Sequence, residues 1–159
     1  MKIRYGDKRD LMVLRELLFE AFFWDPNMVR PKINEFFENP EVNKLIADWD
    51  RPGDKIVIAE EYNQIIGAGW LRLWTDSNHS YGYINCKIPE LGIAVFPNYR
   101  SKGVGRLILK EVIESAKSDG LEAISLSVSP ENFALKLYES FGFKKVGKSG
   151  TSWTYKLVI

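Results

Sequence analysis

Residues 96–112 read FPNYRSKGVGRLILKEV, and the parsing of the whole chain turns on them. An extended run closes at Phe96, a tight polar turn follows, and a helix is predicted to open near Gly103. From there Val104, Ile108, Val112 and Ala116 recur at i, i+4 spacing, with Leu109 and Ile113 beside them. That is the stripe of an amphipathic helix, and Gly120 ends it. Gly103 and Gly105 let backbone approach backbone at the turn. The unpaired N–H groups of the helix start, with the positive end of the dipole behind them, suit a phosphate or pyrophosphate. Arg100, Lys102 and Arg106 add neutralising charge. A plain glycine-bearing turn with solvated cations fits the same residues equally well. A nucleotide site of the commoner kinds fits poorly: GxxxxGK[ST] is absent, and Ile108 fills the third glycine position of GxGxxG.

Upstream, PELGIAVF (89–96) reads as a strand with Leu91, Ile93 and Val95 on one face. Before it lie YGYINCKI, the polar loop DSNHS, and two strand-like runs, KIVIAEE and QIIGAGWLRLWT, hairpinned at Tyr62-Asn63. The first third holds a short strand at Lys2 to Tyr5, then a helix with Asp7 as N-cap and Leu11, Leu14, Leu18 and Phe22 at helical spacing. A second helical stretch runs from about Pro31 to Trp49 and is interrupted near Asn39-Pro40. Downstream, Ile124, Leu126 and Val128 alternate with serines in a half-buried strand. Ser129-Pro130 then reads as N-cap and first turn of a helix with Phe133, Leu137 and Phe141 as its stripe. A terminal hairpin turns around Ser149-Gly150. The order β-α-α-β-β-β-α-β-α-β-β implies an α/β fold of the α+β type, with a mixed sheet and helices on its faces.

The 159 residues, 45% hydrophobic, fit a single domain over 1–159. A net charge of +1, from 22 basic and 21 acidic residues, argues against nucleic acid or a membrane surface as a partner. The first residues, MKIRYGDKRD, lack the apolar core of a secretory signal, so a cytoplasmic location is expected. Cys86 and His79 are the sole cysteine and histidine, which leaves no disulfide and no thiol-imidazole cluster for a metal.

Arg100-Ser101-Lys102-Gly103-Val104-Gly105 matches the [QR]-x-x-G-x-[GA] signature of the GNAT superfamily of N-acetyltransferases. SVSPENFALKLYESFGFKKVG (127–147) resembles a downstream segment of that family, with Asn132 and the run from Leu137 to Phe143 in matching places. The close resemblance covers roughly Glu90 to Gly147. It implies a mostly antiparallel sheet of about six to seven strands, flanked by about four helices, with the fourth and fifth strands splayed apart. It also implies acetyl-CoA as cosubstrate, no metal, and acetylation of a primary amine of a small molecule, amino acid or peptide by direct attack in a ternary complex. One departure is Ser101, where many members have Gly; a negative φ is expected to accommodate it.

Carried onto this chain, the resemblance puts the pantetheine along Ile93, Ala94 and Val95 and the phosphates on Arg100, Ser101, Lys102, Gly103, Val104, Gly105 and Arg106. It makes Asn132 a pantetheine contact rather than merely a turn cap, and Tyr138 the hydrogen-bond donor to the departing thiolate. Glu90 alternates with Gly92 and Ala94, small neighbours that leave room for a ligand, and is the candidate base for the amine proton. Members often carry this acid one position earlier, where the chain has Pro89, so a solvated strand-end glutamate competes with that role. Phe22, Phe23 and Trp24 fall where the family lines its acceptor pocket. Arg72 between Trp70 and Trp74 reads as a cation–π ladder under a helix or at a homodimer contact, ahead of a clamp on a substrate carboxylate. Cys86 reads as a packed strand residue and His79 as solvated. A non-catalytic acyl-CoA sensor is the alternative to an enzyme.

Overall fold

A computed structural model describes all of residues 1–159. Seven strands form one sheet in the order β1-β2-β3-β4-β5-β7-β6. They are β1 Lys2–Tyr5, β2 Lys55–Glu61, β3 Gln64–Arg72, β4 Glu90–Val95, β5 Ala123–Val128, β6 Lys144–Ser149 and β7 Ser152–Val158. Every neighbouring pair is antiparallel except β4 and β5. Five α-helices accompany them: α1 Leu11–Phe22, α2 Ile33–Glu38, α3 Pro40–Asn43, α4 Val104–Ser118 and α5 Leu135–Ser140. The α+β mixed sheet expected from the sequence is therefore present, in the expected element order. None of the helices is long and apolar enough to cross a membrane.

The sheet separates two cores. On one side α4 buries Val104, Ile108, Leu109, Val112, Ile113 and Ala116, and these join an 18-residue cluster that includes Leu91, Leu126 and Tyr138. On the other, Leu14, Leu17 and Leu18 of α1 meet Phe37, Val42 and Trp49 over Ile56, Ile58, Trp70 and Ala94. β4 contributes to both, Leu91 to the first and Ala94 to the second, as strand alternation requires. Asp7 caps a 3-10 turn that leads into α1: its carboxylate accepts from Arg9 N at 2.9 Å, and Asp10 answers from Asp7 N at 2.9 Å. Tyr62 and Asn63 both take positive φ, 51° and 62°, the geometry of a two-residue hairpin turn.

Two local expectations fail. Residues 129–134 do not start a helix. Asn132 N closes a turn on Ser129 O at 3.0 Å, α5 opens only at Leu135, and Phe133 is left 60% exposed instead of in the core. Cys86 lies in the long loop between β3 and β4 and is exposed, not packed in a strand, because 81–88 forms turns rather than a ladder.

Candidate active site

β4 and β5 are joined by one bridge, Glu90 opposite Ser125, with Ser125 N donating to Pro89 O at 3.0 Å. Beyond it the two strands part. Phe96 N donates to Ile66 O at 2.9 Å, and the β3–β4 register continues from there through Ala94 opposite Ala68. Alternation along an antiparallel ladder then turns the N–H groups of Ile93 and Val95 toward the gap, while Ala94 bonds to β3. Two cavities open in this gap, of about 480 and about 270 Å³. They share Ala21, Trp24, Ile93, Asn132 and Tyr138 as walls, so they form one continuous trough.

The smaller end is the turn before α4. Gly103 is the N-cap residue at φ +83°, a conformation that costs a residue with a Cβ roughly 1–2 kcal/mol. A Cβ on Gly105 would meet nothing of the chain nearer than Leu137 Cδ2 at 3.4 Å, so internal packing does not demand glycine there. Its missing side chain instead leaves the cavity wall open at the first turn of α4, where backbone N–H groups have no helical acceptor. Ser101 has φ +61°, against the negative value expected; the turn holds it in the left-handed region that favours glycine.

The three cations differ in freedom. Arg100 donates from Nε to Val95 O at 2.9 Å, lies 3.5 Å from Glu20 and covers the Phe133 ring at 5.6 Å. Burial pushes its pKa down, with Glu20 opposing. Arg106 donates to Ser140 Oγ at 3.2 Å over the Phe141 ring at 5.3 Å. Lys102 is exposed and has no carboxylate partner. Asn132 does cap a turn, its side-chain oxygen accepting from Ala134 N at 2.9 Å, and its amide nitrogen has no partner in the chain.

At the junction stands Tyr138, held by α5, 7% exposed and edge-on to Phe143 at 5.9 Å. Burial raises its pKa, and nothing in the chain bonds its hydroxyl, so it stays a phenol at neutral pH. At the larger end Glu90 accepts from Gly82 N at 2.7 Å. Burial pushes its carboxyl above the usual range, and the Gly82 N–H, Ser80 and Trp74 partly offset this. The space expected beside Gly92 is already taken: a Cβ there would run into the Trp70 indole, which fills the position and floors the cleft. Phe22 and Trp24 line the cleft, whereas Phe23 turns away to pack tilted on Phe19 and edge-on to Phe36, at 4.9 and 5.3 Å.

Arg72 is no substrate clamp. Its guanidinium bonds Asp54 at 2.9 and 2.8 Å and the carbonyls of Lys44 and Ala47 at 3.0 and 2.7 Å, over the Trp49 ring at 4.8 Å. That is the ladder under a helix, with α3 and the turns after it above. His79 is exposed, stacked on Tyr83 at 4.4 Å. Sequence reasoning missed the roof of the cleft, made by Ser80 and Tyr81 of the β3–β4 loop and by Ser149 to Ser152 at the tip of the β6–β7 hairpin. No local pattern marks these residues, since each reaches the cleft only through the folded sheet.

Comparisons with known proteins come from both sequence and structure. A family model described as the acetyltransferase (GNAT) family matches residues 12–143. Mycothiol acetyltransferase of Propionibacterium freudenreichii is 29% identical over 105 residues, 65% of this chain and 32% of that protein. The [ribosomal protein bS18]-alanine N-acetyltransferase of Haemophilus influenzae is 39% identical over 86 residues, 54% of this chain and 52% of the relative. The matches thus span about a third to a half of these relatives' length. Among solved structures, PaiA N-acetyltransferase from Thermoplasma acidophilum in complex with coenzyme A superposes with a TM-score of 0.74 at 20% identity, covering 100% of both chains. A ribosomal-protein-alanine N-acetyltransferase from Brucella melitensis gives 0.73 at 18% identity, also covering 100% of both. These two show a shared fold.

Proposed function

The chain belongs to the acetyltransferase (GNAT) family, and from that premise we propose that it transfers the acetyl group of acetyl-CoA to a primary amine by direct attack in a ternary complex. The observation that carries this reading is the single trough whose two ends meet at Tyr138 beside the free edge of β4. Two substrates entering from opposite ends come together where a phenol and unpaired backbone N–H groups converge. Two relatives, the mycothiol acetyltransferase and the ribosomal-protein-alanine N-acetyltransferase, are both acetyltransferases by name, which supports acetyl transfer as the reaction class.

The turn of residues 100–106 would hold the pyrophosphate, with N–H groups at the start of α4 and Lys102 supplying positive charge. The pantetheine would lie along Ile93 and Val95 as an added strand, with the Asn132 amide nitrogen at its side. Acetyl-CoA supplies an activated acyl carbon, and the rest falls to the chain. Glu90, directly or through one water, takes the proton of the ammonium or of the attacking amine. The gap-facing N–H groups steady the oxygen as negative charge grows on it. Tyr138 meets the departing sulfur. Proton transfer from an ordinary phenol to a thiolate is uphill by about 2 kcal/mol, and burial of Tyr138 widens that gap. Its role is therefore a hydrogen bond to sulfur and not complete proton donation.

Gly105→Val tests the assignment, because position 105 has ordinary backbone geometry and an added side chain extends into the cavity. Calorimetry is expected to show acetyl-CoA binding to the wild type and at least about tenfold weaker binding to a folded variant. Adding an amine to the wild type is then expected to release free CoA thiol. Undiminished affinity in the variant, or no thiol release with any amine, would overturn the proposal.

A further inference from the structure

The larger end of the trough has an unusual charge balance. Of the residues that line it, two are ionisable at neutral pH by ordinary standards, Arg72 and Glu90. Arg72 is not available to a ligand. Its side chain and that of Asp54 are 2% and 1% exposed, paired by two hydrogen bonds, and its other guanidinium nitrogen serves two carbonyls. Turning it toward a substrate would leave Asp54 buried without a partner. Of the other cations beside the Trp74 wall, Lys44 is tied to Glu41 and to His79 O, both at 2.7 Å, and Arg51 lies over the Trp74 ring at 5.2 Å; neither lines the cleft. Glu90 is thus the one charge that faces an occupant. Around it stand Phe22, Trp24, Trp70, Trp74 and Tyr81. Aromatic faces of this kind attract an ammonium and bury an apolar body.

We propose that the acceptor is a primary amine with an aromatic or bulky apolar body and no carboxylate, an arylalkylamine in place of an amino acid or a polyamine. This rests on the acetyl-transfer reading above and names the substrate class of the same site. An ammonium drawn to Glu90 gains an opposite charge, but an α-carboxylate on the same molecule is brought near Glu90 with no cation to meet it. A polyamine fares poorly for the complementary reason: its second ammonium finds no second carboxylate in the cleft. An aromatic ring two or three bonds from the amine instead rests on the tryptophans. The volume of about 480 Å³ accommodates a bicyclic ring.

The test compares matched pairs in the intact protein saturated with acetyl-CoA. Thiol release is measured for phenethylamine against phenylalanine, for tryptamine against tryptophan, and for spermidine. The arylalkylamines are expected to exceed their amino acids, and spermidine, by at least about tenfold in kcat/KM. Equal or reversed preference overturns the inference while leaving acetyl transfer intact. Should no amine release thiol, acetyl transfer itself fails. The inference is then judged by calorimetry of phenethylamine and phenylalanine on the CoA-saturated protein, where equal or absent binding overturns it. Glu90→Gln keeps an acceptor for Gly82 N–H and removes the charge. It is expected to shrink the phenethylamine-to-phenylalanine binding ratio severalfold, and an unchanged ratio overturns the charge argument.

Discussion

The ring of Tyr138 is buried, while its hydroxyl has no partner in the chain and the residue lines both ends of the trough, a combination that separates stability from chemistry. Tyr138→Phe removes a hydroxyl that bonds nothing in the chain and keeps the ring against Phe143, so the melting temperature is expected to stay level. Single-turnover acetyl transfer is expected to fall by about 100-fold, the lower end for acid catalysis, with acetyl-CoA affinity nearly unchanged. Unaltered single-turnover chemistry would reduce Tyr138 to packing. Glu90 makes a second prediction, in pH. Its folded pKa is raised by burial, so the neutral form stabilises the fold below the usual carboxylate range, and that contribution is lost as pH rises through the folded value. Glu90→Gln should therefore melt higher than wild type at about pH 7 and match it near about pH 4, while turning over more slowly at neutral pH. Thermal scans across that range check the sign. Tyr138 is a candidate from the resemblance and Glu90 from strand alternation, and both line the trough. The Gly82 N–H that holds Glu90 was not legible in the sequence, because a loop contact eight residues away leaves no periodic trace.

Elements followed the sequence where periodicity was strong and departed where local chemistry prevailed. The i, i+4 stripe of α4 was readable because each member is buried against the sheet. Ser129-Pro130 looked like a helix start, yet the Asn132 side chain and backbone close turns there and delay α5 to Leu135. Ser101 fits the signature by position but not by conformation, since only the folded turn reveals φ +61°. That angle supports a test of the turn. Ser101→Val places a β-branched residue in the left-handed region and is expected to cost about 1–2 kcal/mol in urea unfolding. Ser101→Gly should stay within about 0.5 kcal/mol of wild type, as relief of strain and the added freedom of the unfolded chain oppose each other. Equal stability of the valine and serine proteins would remove the strained turn.

For the whole molecule, the buried Arg72–Asp54 pair ties the carbonyls after α3 to the sheet, a link the sequence hid because Asp54 is 18 residues away, before β2. Asp54→Ala strands the guanidinium and is expected to destabilise by about 3–5 kcal/mol in urea, whereas an Asp54→Leu, Arg72→Met double variant loses far less. Similar losses in both would show that the pair acts through packing alone. The element order was legible throughout, because alternating strand and helix patterns dictate it; the parting of β4 from β5 came only from the resemblance, since a missing ladder has no residue signature. That parting leaves the amides of Ile93 and Val95 without acceptors in a strand whose alternate amides bond β3. Deuterium uptake along β4 is therefore expected to alternate, fast at Ile93 and Val95 and slow at Gly92 and Ala94, in the free protein. A bound chain of carbonyls along that edge would erase the alternation, which makes the strand a built-in gauge of its own occupancy.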